Sequence, residues 1–73
     1  MQKLINKKYI VVVNHNNKEF FFKQVMEKEV EFSSIRSMAH HFHTEDYAKS
    51  VQSLLKDVGY DANVEVFYVA NII

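Results

Sequence analysis

The chain has no cysteine, no proline and a single glycine among its 73 residues. Without cysteine it has neither disulfides nor the usual thiolate zinc sites, the common staples of small domains. A chain this short buries only about 60% of its unfolded surface, so its stability is marginal. Oligomerisation is the remaining common remedy. One glycine also excludes a glycine-rich phosphate-binding loop, and we expect no cofactor.

An excess of charge of either sign is also lacking, because nine Lys and Arg balance nine Asp and Glu. General nucleic-acid binders are basic, so we expect no nucleic-acid partner. The charge is uneven, with a net of +4 over residues 1–28 and −4 over residues 29–73. The simpler interpretation is two solvated faces, and the alternative is complementarity between subunits or with a partner. No apolar run approaches the ~20 residues of a membrane helix, so we predict a cytoplasmic protein without membrane contact.

The hydrophobic pattern predicts a single α+β domain over residues 1–73. Residues 1–7 are expected to be a loosely ordered lead-in. Apolar and β-branched residues predict strands, the third of them short, at Tyr9–Val13, Lys18–Met26, Glu29–Phe32 and Asn63–Ala70. A short helical turn around Ile35–Ala39 and one main helix lie between the last two strands. The order β-β-(β)-α-β predicts an antiparallel sheet of three or four strands with the helix packed on one face.

The main helix is the clearest element. Thr44 is a good N-cap, and Gly59 sits where a left-handed residue ends a helix, which predicts a helix over about 44–58. One apolar stripe at helical spacing is predicted to face the sheet: Tyr47, Ala48, Val51, Leu54, Leu55 and Val58.

The strands are apolar on both faces, although a half-exposed antiparallel strand should alternate apolar and polar residues. Tyr9–Val13 and Phe20–Phe22 are uninterrupted apolar runs. One helix supplies cover on one side only, so we expect the second face to be an interface. A homodimer that packs sheet on sheet or pairs edge to edge is the preferred interpretation. The alternative is that the N-terminal segment, including residues 1–5, folds back over this face. The predicted interface residues are Ile10, Val12, Phe21, Val25, Phe67 and Val69.

The histidines at 40, 41 and 43 suggest a second function. His41 and His43 point the same way in an extended segment, opposite Phe42, and two histidines at this spacing can bind a divalent metal. His15, Glu45 or Asp46 would complete the site. Solvated histidines are the simpler interpretation, and protonation near pH 6.5 would alternatively make the segment pH-sensitive.

A third hypothesis is a small ribonuclease. His41 or His43, with Ser33, Ser34 or Arg36, would supply the acid and the base. RNA binding needs a basic surface, and the net charge of zero argues against one. We therefore predict that the protein is not an enzyme.

Residues 39–69 carry a resemblance. Ala39-x-x-Phe42, Thr44–Ala48, a Leu-Leu helix, Gly59-Tyr60-Asp61 and Val64-x-Val66 follow the apolar hairpin. Together they resemble small orphan proteins of low-GC Gram-positive phages and prophages. The resemblance implies a small α+β fold and a mobile-element setting, with a host or phage protein as partner. Together with the apolar second face of the sheet, it predicts a homodimeric, non-enzymatic protein-interaction module.

Overall fold

The computed structural model describes the backbone of residues 3–72 and the side chains of residues 6–70. It contains a four-stranded antiparallel sheet, one main helix and one short 3-10 turn, which confirms the predicted α+β fold. The elements are β1 (Lys3–His15), β2 (Lys18–Met26), β3 (Glu29–Ser33), the 3-10 turn (Arg36–Met38), α1 (Glu45–Asp57) and β4 (Asp61–Ile72). No helix in this part of the chain is long and apolar enough to cross a membrane.

The strands lie in the order β3-β2-β1-β4. Two-residue turns at Asn16-Asn17 and Glu27-Lys28 join the first three strands, and all four residues have positive φ. Turns of this kind match the twist of the flanking strands. Asparagine tolerates that conformation well, so the Asn16-Asn17 sequence suits the first turn.

β1 is much longer than predicted. It pairs with β4 from Lys3 to Asn14 but with β2 only from Val12 to His15. The predicted loose lead-in is therefore wrong from residue 3 onward, and residues 1 and 2 lie outside the described residues. The first half of β1 pairs with β4 alone, so residues 3–8 and 67–72 form a two-stranded ribbon. The ribbon gives the molecule its length of 46 Å against a width of 23 Å.

On the N-terminal side of Val12, β1 separates from β2, and residues 40–42 occupy the gap between the two strands. The Tyr9 N–H donates to the Phe42 carbonyl (3.0 Å), and the Phe42 N–H donates to the Tyr9 carbonyl (2.8 Å). On the other side, the His40 N–H donates to the Phe22 carbonyl (2.8 Å). We call this gap the fork. Through it the chain passes from the face that carries the 3-10 turn to the face that carries α1.

Each face of the sheet has its own apolar core. The helix face contains Tyr9, Val11, Val13, Phe22, Phe42, Ala48, Leu55 and Ala62. The turn face contains Ile10, Val12, Phe21 and Ala39, with Phe67 packed against them. The ends of α1 are as predicted, since the Tyr47 N–H donates to Thr44 Oγ1 (3.3 Å) and Gly59 has φ +99°.

Burial on the turn face shows that part of the predicted interface is wrong. Ile10, Val12 and Phe21 are buried within the chain, where Ala39 packs against them. Within the described residues, the cover is the connection from β3 to the fork. Because this connection must cross to reach α1, it lies over the middle of the sheet. These three side chains are therefore core residues and not interface residues.

Candidate interaction surface

The helix covers only half of its own face of the sheet. α1 packs on β1 and β4. A helix is about 10 Å wide and strands lie about 4.8 Å apart, so one helix covers about two strands. β2 and β3 therefore have no helix above them within the described residues. Val25 and Val30 on that half stay exposed, whereas Phe22 is buried against Phe42.

The apolar stripe of α1 is wider than the surface it buries. Ala48 and Leu55 are buried, but Leu54 is 66% exposed and Tyr47 is 64% exposed, contrary to their prediction as core residues. Leu54 and Tyr47 flank a groove of about 380 Å³ between α1 and the C-terminal half of β2. We call it the α1–β2 groove, and its lining is Phe22, Gln24, Val25, His40, Phe42, Tyr47, Val51 and Leu54.

A β-bulge places Val25 in this groove. Phe22 pairs with Phe32, but the next pair is Gln24 with Glu31, so β2 contains one extra residue. An extra residue reverses which side chains face which side of the sheet. Val25 is consequently 62% exposed beside α1 rather than on the turn face. Its predicted place among the turn-face interface residues is wrong for this reason.

The apolar surface continues past the groove toward the N-terminal end of β2 and the C-terminal end of β3. A second hollow, of about 420 Å³, is lined by Val13, His15, Phe20, Phe32 and Tyr60. The rings of Phe32 and Tyr60 pack 5.1 Å apart. The two hollows together extend along the uncovered half of the helix face.

The histidine segment is divided between the two faces. Phe42 is buried, and His40 packs edge-on against its ring at 4.5 Å. His41 packs against Phe67 at 5.0 Å on the turn face. Lys8 Nζ donates to His43 Nδ1 at 2.6 Å. An ammonium at that nitrogen occupies the Nδ1 lone pair, so a metal could bind His43 only through Nε2.

The third predicted metal ligand is far away. His15 lies at the β1–β2 turn, and His43 contacts Lys8 near the middle of β1. Seven residues of extended strand separate the two places by about 23 Å. In the part of the chain that the structure describes, no three histidine or acidic side chains come together as a metal site. Metal binding by His41 and His43 alone stays a prediction.

A shallow crevice on the turn face gathers some of the residues named for the nuclease hypothesis. Ile10, Arg36, Ser37, His41 and Phe67 line it. Arg36 is paired with Glu65 at 2.6 Å, so its charge is already neutralised.

The predicted serines do not join this crevice. Ser33 Oγ accepts from the Ile35 N–H and serves the local turn, while His43 faces Lys8. The sequence reasoning missed Ser37, which lines the crevice with His41, and Glu65, which pairs with Arg36. The nuclease hypothesis stays a prediction without a complete acid–base pair.

Comparisons with known proteins add no functional evidence. The chain matches no protein-family model, no curated protein and no solved structure.

Proposed function

We propose that the protein is a small, non-enzymatic interaction module that forms a homodimer and binds an amphipathic helix of a partner protein in the α1–β2 groove. The observation that carries this proposal is the uncovered half of the helix face. Val25, Leu54 and Tyr47 are each more than 60% exposed around one apolar groove. Apolar patches of this kind mark interaction sites.

The shape of the groove favours a helix as its occupant. The four strands span about 14 Å between the axes of the outer strands, and α1 takes the half above β1 and β4. A second helix about 10 Å wide fits above β2 and β3 beside α1. It would pack against Val25 and Phe22 below and against Leu54 and Tyr47 at the side. This arrangement would complete the helical layer of an α/β sandwich.

A second copy of α1 is a poor occupant. To lie in the groove while remaining on its own sheet, α1 would have to turn its outer face toward the groove. That outer face is polar, with exposed Lys49, Ser50, Ser53 and Lys56. Burying these groups against Val25 and Phe22 would cost hydrogen bonds to water without replacing them. The partner helix therefore belongs to another protein.

Matched substitutions test the groove. The protein is used as bait with Leu54→Lys, and Ser53→Lys serves as the control, since both positions are exposed and adjacent on α1. We expect Leu54→Lys to weaken binding of the captured partner at least about 10-fold, because a charge would enter an apolar contact. Ser53→Lys should leave binding unchanged.

A photo-reactive group at position 25 then identifies the bound segment. Labelling of an amphipathic helix in the partner supports the proposal. Equal binding by Leu54→Lys and Ser53→Lys, or labelling of an extended segment, would exclude this groove as the site for a helix.

The biological setting is also part of the proposal. Residues with A/T-rich codons (Lys, Asn, Ile, Phe and Tyr) are abundant, which supports a low-GC bacterium or its phage. The absence of cysteine supports the cytoplasm.

A further inference from the structure

The outer strand β4 has an unprotected edge. Within residues 3–72, β3 and β4 are the outer strands of the sheet. β3 has five residues, two of them Glu, and a bulge in its pairing. β4 has twelve residues with no lysine, arginine or proline, and its register with β1 is unbroken. Natural sheets blunt exposed edges with short strands, lysine, proline or bulges. β4 is neither short nor bulged, and its charged side chains are Asp61 and Glu65, of which Glu65 is already paired with Arg36.

Hydrogen bonds at the fork establish which groups β4 presents. Both backbone groups of Tyr9 bond Phe42, on the side away from β4. Backbone groups alternate between the two edges of a strand, so Lys8 and Ile10 point toward β4. Their partners in β4 are Phe67 and Glu65. The intervening residues of β4 must therefore direct their N–H and C=O groups outward.

A side-chain hydrogen bond confirms which residues of β4 direct their backbone groups outward. Gln52 Nε2 donates to the Ala62 carbonyl at 3.0 Å, and Ala62 belongs to the outward set. The helix thus covers one outward carbonyl at the start of β4. The remaining outward residues with described side chains are Val64, Val66, Tyr68 and Ala70.

We infer that β4 pairs with β4 of a second copy about a two-fold axis at Phe67, which joins the two sheets into one of eight strands. This inference rests on the homodimer in the proposed function. In a two-fold antiparallel pair, outward residues must face outward residues, so the numbers of two opposed residues add up to an even sum. The axis therefore passes through a residue, and Val66 and Phe67 are the two residues that give the longest overlap.

Cross-strand pairing favours the axis at Phe67. In that register Phe67 opposes Phe67 of the second copy, and Val66 opposes Tyr68. Aromatic–aromatic and aromatic–β-branched pairs are favourable across strands. An axis at Val66 would instead oppose Glu65 to Phe67 twice.

The same register explains exposed side chains of the ribbon. Val66 is 48% exposed and Tyr68 is 61% exposed on the helix face. Each would gain the other as a neighbour from the second copy. On the turn face, each His41 already packs against Phe67, so the axis would extend this contact into a row of four rings. The acidic side chains Asp61 and Glu65 would not face each other.

Cysteine substitutions test the register directly, because the natural chain has no cysteine. Opposed residues at a non-hydrogen-bonded site have Cα atoms about 4.5 Å apart, within reach of a disulfide. We expect Phe67→Cys to form a covalent dimer on mild oxidation. Val69→Cys is the control, since the two copies of position 69 would lie about 13 Å apart. Glu65→Cys mixed with Val69→Cys should cross-link again.

A proline substitution tests the edge without cysteine. The Tyr68 N–H points outward, so Tyr68→Pro removes a bond to the second copy and none to β1. We expect the mass from light scattering to fall from that of a dimer to that of a monomer, with unchanged circular dichroism. Phe67→Pro, which removes a bond to β1, should unfold the ribbon.

The outcomes separate this inference from the proposed function. A dimer that Tyr68→Pro leaves intact, or cross-linking at position 66 but not 67, would overturn the Phe67-centred pairing while leaving the homodimer. A wild-type chain that is monomeric at every concentration would overturn both.

Discussion

The two faces of the sheet differ in how well they are covered, and the face with the shorter covering element is the better buried. The turn face carries only a three-residue 3-10 turn and its flanking residues, yet it buries Ile10, Val12 and Phe21 almost completely. The helix face carries a 13-residue helix, yet Val25, Leu54 and Tyr47 stay exposed. The position of the covering segment therefore matters more than its length. The turn lies over the middle of the sheet, whereas the helix lies over one side.

The largest expected difference is between Phe21 and Val25, two β2 residues predicted for the same interface. Phe21 is 6% exposed and Val25 is 62% exposed. Phe21→Ala should lower the free energy of unfolding by about 3–5 kcal/mol through loss of burial and a cavity. Val25→Ala should cost less than about 1 kcal/mol. Urea unfolding measures both, and similar losses would mean that the turn does not cover Phe21.

Two adjacent leucines sharpen the comparison within α1. Leu55 is 3% exposed, and Leu54 is 66% exposed. Leu55→Ala should lower the unfolding free energy by about 2–5 kcal/mol, and Leu54→Ala by less than about 1 kcal/mol. Helix propensity changes equally in both, so the difference reports burial alone. A large loss for Leu54→Ala would indicate that its side of α1 is covered in solution.

The end of α1 should show a smaller effect. Gly59 has φ +99°, and a methyl group added there would meet no atom within 4 Å. Gly59→Ala is therefore expected to cost about 1 kcal/mol from backbone strain alone. Gly59→Asn, which tolerates positive φ better, is the control and should cost less. Thermal unfolding of both variants checks the order.

The smallest effect concerns the ion pair that links the turn to β4. Arg36 and Glu65 approach to 2.6 Å, but both side chains are substantially exposed. Arg36→Gln should lower the unfolding free energy by less than about 1 kcal/mol, and less still in high salt. A salt-independent loss of several kcal/mol would show that this pair, rather than apolar burial, holds the turn on the sheet.

Local signals in the sequence predicted most of the fold. The bounds of β2, the Thr44 cap and the Gly59 stop are as predicted because each depends on neighbouring residues. The placement of Ile10, Val12 and Phe21 on the face opposite the helix was also correct.

The errors arise where the pattern depends on distant contacts. The bulge beside Lys23 contains no glycine that would indicate it in the sequence. The assumption of strict alternation therefore placed Val25 on the wrong face. The ribbon and the fork depend on pairing with β4 and Phe42, which no local pattern reveals. The candidate groove was missed because the whole apolar stripe of α1 was assumed to be buried.

The fork also has a consequence for the order of folding. β1 and β2 do not pair again below it, so residues 40–42 enter an open wedge and need not be threaded through a closed sheet. The hairpin of β1 and β2 can form first from local contacts. The closing step is the pairing of β1 with β4, the strands most distant in the sequence, and such non-local pairing is slow, on the order of milliseconds to seconds. Because this pairing forms in the slow step, we expect substitutions in the β1–β4 contact to slow folding and not only to speed unfolding.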